Sequence, residues 1–232
     1  MEQLPLGVQL KERATFASFH VGTNEQLVRH LERVGGGALN GATWLAGPAG
    51  VGKSHLLQAT CSLAGSRGRA GYFPLGAIPA VTPEFIVGAG ALDCVCIDDL
   101  QIIAGSTAWQ HALFGLYREL ETRRAALVVA AEQPPGQLGI LLADLRSRLV
   151  AAPGFVIQAL DEDGQIAALT LRAKLRGLEL PDETGRYLLR RFPRDMATLA
   201  ELFDTLDVAS LVAQRRLTVP FIRDVLGSPD EQ

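Results

Sequence analysis

Over the first two thirds of the chain, short apolar runs alternate with stretches in which apolar side chains recur three and four positions apart. The runs "ATWLA", "AGYFPL", "LDCVCI", "AALVVAA" and "FVIQAL" have strand length, and the stretches between them have helical period. That rhythm predicts a parallel α/β sheet. The first helix is expected to start at Thr23 or Asn24, where "TNEQ" offers a capping residue. It carries Leu27, Val28, Leu31 and Val34 on one face until "GGG" at Gly35 ends it. Between the third and fourth runs, Trp109, Ala112, Leu113, Leu116, Tyr117 and Leu120 recur at helical spacing as a core stripe. The rhythm stops near Leu160. From Asp161 onward only helical periodicity remains, broken at "RGLELP", at Pro193 and over Thr218 to Pro220, which predicts a small helical lid.

Composition narrows the class. A chain of 232 residues, 48% hydrophobic, can bury the core of one large domain and a small one. Its net charge of −3 supplies no global basic field, so any contact with DNA has to be local or borrowed from a partner. The N-terminus has no basic segment leading into an apolar one, and no apolar run approaches the ~18 residues that span a bilayer. A cytoplasmic protein without a membrane partner is expected. Cys61 lies in a helix, and Cys94 and Cys96 lie in an apolar strand, as small buried thiols do in a reducing compartment. The basic residues Arg172, Lys174, Arg176, Arg190, Arg191, Arg215 and Arg216 of the lid read as a solvated helix face.

The stretch "GPAGVGKSH", Gly47 to His55, carries the first chemistry. Gly47, Gly52, Lys53 and Ser54 fit G-x-x-x-x-G-K-[ST], with Pro48, Ala49, Gly50 and Val51 filling the loop and His55 following it. A strand precedes the motif and a helix follows, which is the context a phosphate-binding loop needs. Its glycines let backbone N–H groups curl around a β-phosphate at the positive end of the helix. Lys53 reaches the β- and γ-phosphates and Ser54 supplies an oxygen to Mg²⁺. The second half of such a site is "CVCIDD", where Asp98 ends an apolar strand and can face the Mg²⁺ directly or through water. Asp99 stands where a water-activating Glu is usual. One methylene shorter, it would reach the water from further back, so weak intrinsic hydrolysis is expected; the alternative is that the pair caps the following helix.

Strand, phosphate loop, acidic strand end, sensor strand and helical lid together resemble an AAA+ ATPase, and the finer wording resembles the DnaA proteins and their shorter Hda relatives. "TFASFHVGTNEQL", Thr15 to Leu27, is similar to the DnaA segment that packs around adenine. "EQPPGQL" places Glu132 at the sensor-I position, "DLRSRL" places Arg148 at the arginine-finger position, and "RDMATL" places Arg194 at the sensor-II position. "QLPL", with Gln3, Leu4, Pro5 and Leu6, resembles the peptide by which Hda proteins bind the β-subunit sliding clamp. The chain ends at Gln232, leaving no room for the ~100-residue helix-turn-helix domain of an initiator, so direct origin recognition is not expected.

The resemblance implies a clamp-binding segment over residues 1–14, an AAA+ α/β nucleotide-binding domain with a five-stranded parallel sheet over 15–160 and a lid over 161–232. It implies ADP or ATP with Mg²⁺ as ligands, the sliding clamp and DnaA as partners, DNA only through the clamp, and leaves self-association open. Arg148 would act in trans on ATP held by DnaA, switching off the initiator. Two other readings stay in view. An ATP-hydrolysing helicase loader or initiator paralogue fits the intact loop with Asp98 and Asp99, and a pure scaffold would leave Arg148 as surface charge.

Overall fold

The computed structural model describes residues 14–78, 81–192, 195–213 and 216–227. By their contacts these form two compact units. The first holds Thr23–Pro48 and Lys53–Gln158, and the second holds Ala17–Gly22, Ala49–Gly52 and the chain from Ala159 onward.

Five parallel strands build the first unit: β1 (Gly41–Ala46), β2 (Ala70–Pro74), β3 (Cys94–Asp98), β4 (Ala126–Ala131) and β5 (Gly154–Val156), in the order β2-β3-β4-β1-β5. Helices α1 (Glu25–Gly35), α2 (Lys53–Gly65), α3 (Thr107–Arg123) and α4 (Ala143–Ala151) cover it. β3 and β4 are buried along their whole length, which is why both read as unbroken apolar runs. Their side chains alternate between faces. Val95, Ile97, Leu127 and Val129 share a core with Trp109, Leu113, Leu116 and Leu120 of α3 and with Leu145 and Leu149 of α4. Period two therefore sends Cys94, Cys96 and Asp98 to the other face, where the thiols of Cys96 and Cys61 of α2 are hydrogen-bonded. Asp98 is thus placed on the side of the helix that begins with the phosphate-loop lysine.

Two local expectations change. β5 stops at Val156 instead of continuing to Leu160. The Ile157 N–H still donates to the Ala46 carbonyl at 2.8 Å, and the next backbone groups are then taken by Asn24. Gln158 N–H donates to Asn24 Oδ1 at 3.0 Å and Asn24 Nδ2 donates to the Gln158 carbonyl at 3.3 Å. Asn24 does stand at the start of α1, but its amide makes no cap hydrogen bond there because it closes the end of β5.

In the second unit, α5 (Glu162–Leu175), α6 (Asp182–Arg191), α7 (Met196–Ala213) and α8 (Val219–Leu226) follow one another. Asp161 caps α5 by accepting from Gly164 N–H at 2.8 Å, and Thr218 caps α8 just ahead of Pro220. Leu169, Ala173, Leu188, Leu189, Leu199, Phe203, Leu206 and Phe221 form the core. The solvated basic face is corrected at Arg176, whose side chain is only 7% exposed. It pairs with Asp204 and, at 3.3 Å, with Asp207, and lies over the Phe203 ring, while Arg172 joins Asp204 at 3.1 Å. Those two arginines tie α5 to α7. Among the described residues no helix is long and apolar enough to cross a membrane.

Candidate functional site

The C-terminal ends of β1, β3 and β4 lie side by side, because Ala46 is in register with Ala131 and Ile97 with Val129. Asp98 is the last residue of β3, and Gly47 and Glu132 are the first residues past β1 and β4. Gly47 N–H donates to the Ala131 carbonyl at 3.3 Å, fixing the root of the loop to the strand that precedes Glu132. Gly50 and Gly52 take φ of +76° and +102°, backbone that a side chain strains. Gly52 is also sterically closed: a Cβ there would stand 2.8 Å from the Phe19 ring.

Lys53 is buried, and its ammonium donates to the carbonyls of Gly47 and Pro48, both at 2.8 Å. The loop is thereby drawn around the lysine head. His55, one turn position on, donates through Nε2 to the Thr15 carbonyl at 2.8 Å and so pins the start of the "TFASFHVG" segment to α2.

Asp98 is 1% exposed and accepts from three directions. Tyr72 O–H reaches Oδ2 at 2.8 Å, the Asp99 N–H reaches Oδ1 at 3.1 Å, and the Ser54 hydroxyl is hydrogen-bonded to the same carboxylate. Burial, reinforced by the charge of Asp99, pushes the Asp98 carboxyl above its usual range against those three bonds. Burial and the Asp98 charge likewise push the Tyr72 phenol up. Ser54 and Asp98 are hard oxygen donors that share a hydrogen bond, so both can reach one small cation. That donor set fits Mg²⁺. Among the described residues there is no group of three or more His, Cys, Asp or Glu that could hold a metal without help from a ligand.

Asp99 is half-buried in left-handed backbone (φ 58°) and starts a short 3-10 turn, to which its side chain gives no cap hydrogen bond. The carboxylate instead accepts from Gln101 Nε2 at 3.1 Å and lies over Gly76, where a Cβ would come within 2.6 Å of Oδ2. Glu132 is exposed just past β4. Arg148 lies on α4, 53% exposed, paired with Glu121 of α3 at 3.0 Å and positioned over the Tyr117 ring. Arg194 and the segment Gln3, Leu4, Pro5 and Leu6 lie outside the described residues.

Lys53, Ser54 and Asp98 are therefore brought together, and Arg148 stands apart on α4. Sequence reasoning missed Tyr72, Gln58, which also bonds the Tyr72 phenol, and Glu121. It missed Gln110 as well, a buried amide that receives the N–H groups of Leu141 and Leu142 at 3.0 and 2.7 Å and so shapes the approach to α4.

The Hda lid-domain model matches residues 161–226, and the bacterial DnaA ATPase-domain model matches residues 82–157. The chain is an AAA+ protein related to Hda and DnaA. Solved structures agree on the fold. Domain III of the Thermotoga maritima replication initiation protein DnaA is 20% identical with a TM-score of 0.76, over 94% of this chain and 98% of that one. AMPPCP-bound DnaA from Aquifex aeolicus is 24% identical with a TM-score of 0.69, over 85% and 67% of the two chains. Replication initiator DnaA bound to AMPPCP and single-stranded DNA is 23% identical with a TM-score of 0.71, over 87% of this chain. The present chain spans 66% of the length of that DnaA.

Proposed function

We propose that this protein is a cytoplasmic, Hda-type regulator of chromosome replication, which binds the sliding clamp and stimulates hydrolysis of ATP bound to DnaA. The observation that carries this reading is the Hda-type lid over residues 161–226. The domain division follows as a clamp-binding segment over 1–14, an AAA+ domain over 15–160 and a lid over 161–232. The loop from Gly47 to Ser54 would cradle the phosphates of ADP or ATP, with Lys53 exchanging its two carbonyl partners for phosphate oxygens. Ser54 and Asp98 would hold Mg²⁺, which screens charge on the β- and γ-oxygens. Bound nucleotide acts as a structural ligand that sets the lid through Arg194, not as fuel.

Arg148 is the group offered to the partner. It is exposed and held by one surface carboxylate, so it can leave Glu121 at little cost and meet charge that develops on a phosphoryl group in the DnaA site. "QLPL" tethers the protein to the clamp through Gln3, Leu4 and Leu6, with Pro5 stiffening the peptide. The deciding experiment mixes this protein, clamp on DNA and ATP-loaded DnaA, and omits each in turn. Phosphate release that needs all three supports the reading; release from this protein alone overturns it. Replacing Gln3, Leu4 and Leu6 by Ala should abolish co-elution with clamp and leave ADP binding intact. The complete set Lys53, Ser54 and Asp98 favours one rival, an ATP-hydrolysing initiator paralogue or helicase loader, and the same assay separates the two.

A further inference from the structure

We propose that Tyr72 is a positioning residue of the phosphate site, which holds the Asp98 carboxylate in the orientation that receives the cation accompanying the nucleotide. The inference rests on the reading of this site as a Mg²⁺-nucleotide site. It begins with register. β2 pairs with β3 in parallel so that Tyr72 is opposite Cys96 and Pro74 is opposite Asp98. Tyr72 therefore shares the α2 face with Cys96 and Asp98 but starts two residues short of the carboxylate, about 7 Å along a strand. A phenol is long enough to cover that offset, and its hydroxyl arrives 2.8 Å from Asp98 Oδ2.

The chemistry at Asp98 makes that contact consequential. Among the described residues the carboxylate has no ion-pair partner, although it is 1% exposed. A buried carboxylate without a cationic side chain is a seat for a metal ion, but only if it is kept aimed. Two of its neighbours are poor at aiming it. The Ser54 hydroxyl turns on a single bond and would itself be a ligand to the cation, and the Asp99 N–H belongs to the turn that follows. Tyr72 differs from both. Its O–H lies near the ring plane, and its oxygen is also hydrogen-bonded by Gln58, whose amide N–H can donate to it. The single phenol proton is left to the carboxylate. By engaging Oδ2 while the Asp99 N–H engages Oδ1, Tyr72 restricts rotation of the carboxylate and leaves the remaining lone pairs for the cation.

The test is ADP binding by calorimetry in Mg²⁺ and in EDTA, for the wild type, Tyr72→Phe, Asp98→Asn and the double variant. Tyr72→Phe keeps the ring in place and removes only the hydroxyl. It should weaken binding about tenfold in Mg²⁺, the size of one hydrogen bond to a charged group, and leave binding in EDTA unchanged. In the Asp98→Asn background the same change should have no further effect, since Tyr72 acts through Asp98. Equal losses in Mg²⁺ and EDTA would mean that Tyr72 only supports the fold, and an undiminished Tyr72→Phe would remove its role; either overturns the inference and leaves the nucleotide reading standing. A wild type whose affinity ignores Mg²⁺ also overturns it. A wild type that binds no nucleotide overturns both.

Discussion

The strand-end cluster and α4 handle charge in opposite ways. At the strand ends Lys53 and Asp98 are buried and each is held by hydrogen bonds within the chain, the lysine to two loop carbonyls and the aspartate by Tyr72, Ser54 and a backbone N–H. On α4, Arg148 is half-exposed with one carboxylate partner and an aromatic ring beneath it. A buried, satisfied group is expensive to disturb, and removing one partner leaves the other without compensation. A surface pair contributes ~0–1 kcal/mol and can be exchanged for a stronger partner. The difference fits the proposed roles, in which the strand-end cluster keeps a ligand and Arg148 is lent to a partner.

The largest effect should come from breaking the lending side. Arg148→Ala should lower stimulation of DnaA hydrolysis by about 10³- to 10⁵-fold, the range of an arginine finger, with ADP binding, clamp binding and melting temperature nearly unchanged. Glu121→Ala removes only the resting partner and should leave stimulation within about twofold of wild type. Single-turnover phosphate release from ATP-loaded DnaA measures both. Stimulation that survives Arg148→Ala would leave Arg148 as ordinary surface charge.

The keeping side is broken at Lys53. Lys53→Ala removes the ammonium from two loop carbonyls and from the phosphate position, and should weaken ADP binding by about 100-fold. The rise in melting temperature that excess ADP gives the wild type should then largely vanish. Equal ADP-induced shifts in wild type and variant would move the nucleotide elsewhere. A smaller effect is expected at Asp99. Asn tolerates the left-handed backbone found there, so Asp99→Asn preserves the turn. Since Asp99 is held by Gln101 over Gly76, stimulation of the partner should change by less than about twofold. A pattern indifferent to Arg148 and dependent on Asp99 would instead identify a protein that hydrolyses its own ATP.

What was legible in the sequence was whatever is local. The phosphate loop is spelled by consecutive residues, and Asp98 stands out as a charge at the end of an apolar run. The stripe Trp109, Leu113, Leu116 and Leu120 follows from helical period alone. Contacts set by strand order are another matter. Tyr72 meets Asp98 only because β2 lies beside β3 in one particular register, and nothing in either run specifies it. Asn24 reads as a helix cap, but its amide can serve either a helix N-terminus or the end of a neighbouring strand, and Gln158 wins. Arg176 reads as solvated because its partners Asp204 and Asp207 come from another helix.

The smallest effect sharpens the comparison at a third place, where a partly buried imidazole is held toward its neutral form. His30 of α1 places Nε2 2.9 Å from Thr43 Oγ1 of β1 and its ring 4.9 Å from that of Phe155 of β5. Burial first, and then the charge of Arg33, hold its pKa below the usual 6.5. The sign follows from proton uptake. As pH falls through about 6.5 the unfolded chain protonates this imidazole, while the folded chain does so only at lower pH. The unfolded state therefore binds more protons in that window, and stability contributed by neutral His30 is present above it, declines as pH falls and levels off below the folded pKa. His30→Gln keeps a hydrogen-bonding partner for Thr43 but cannot titrate. Melting temperatures followed from about pH 8 to about pH 5 should decline more steeply for the wild type than for the variant, with the curves diverging below about 6.5. Parallel curves would show that His30 accepts a proton as readily in the fold as out of it. Of the two groups, Asp98 alone would then be pushed by burial toward its neutral form.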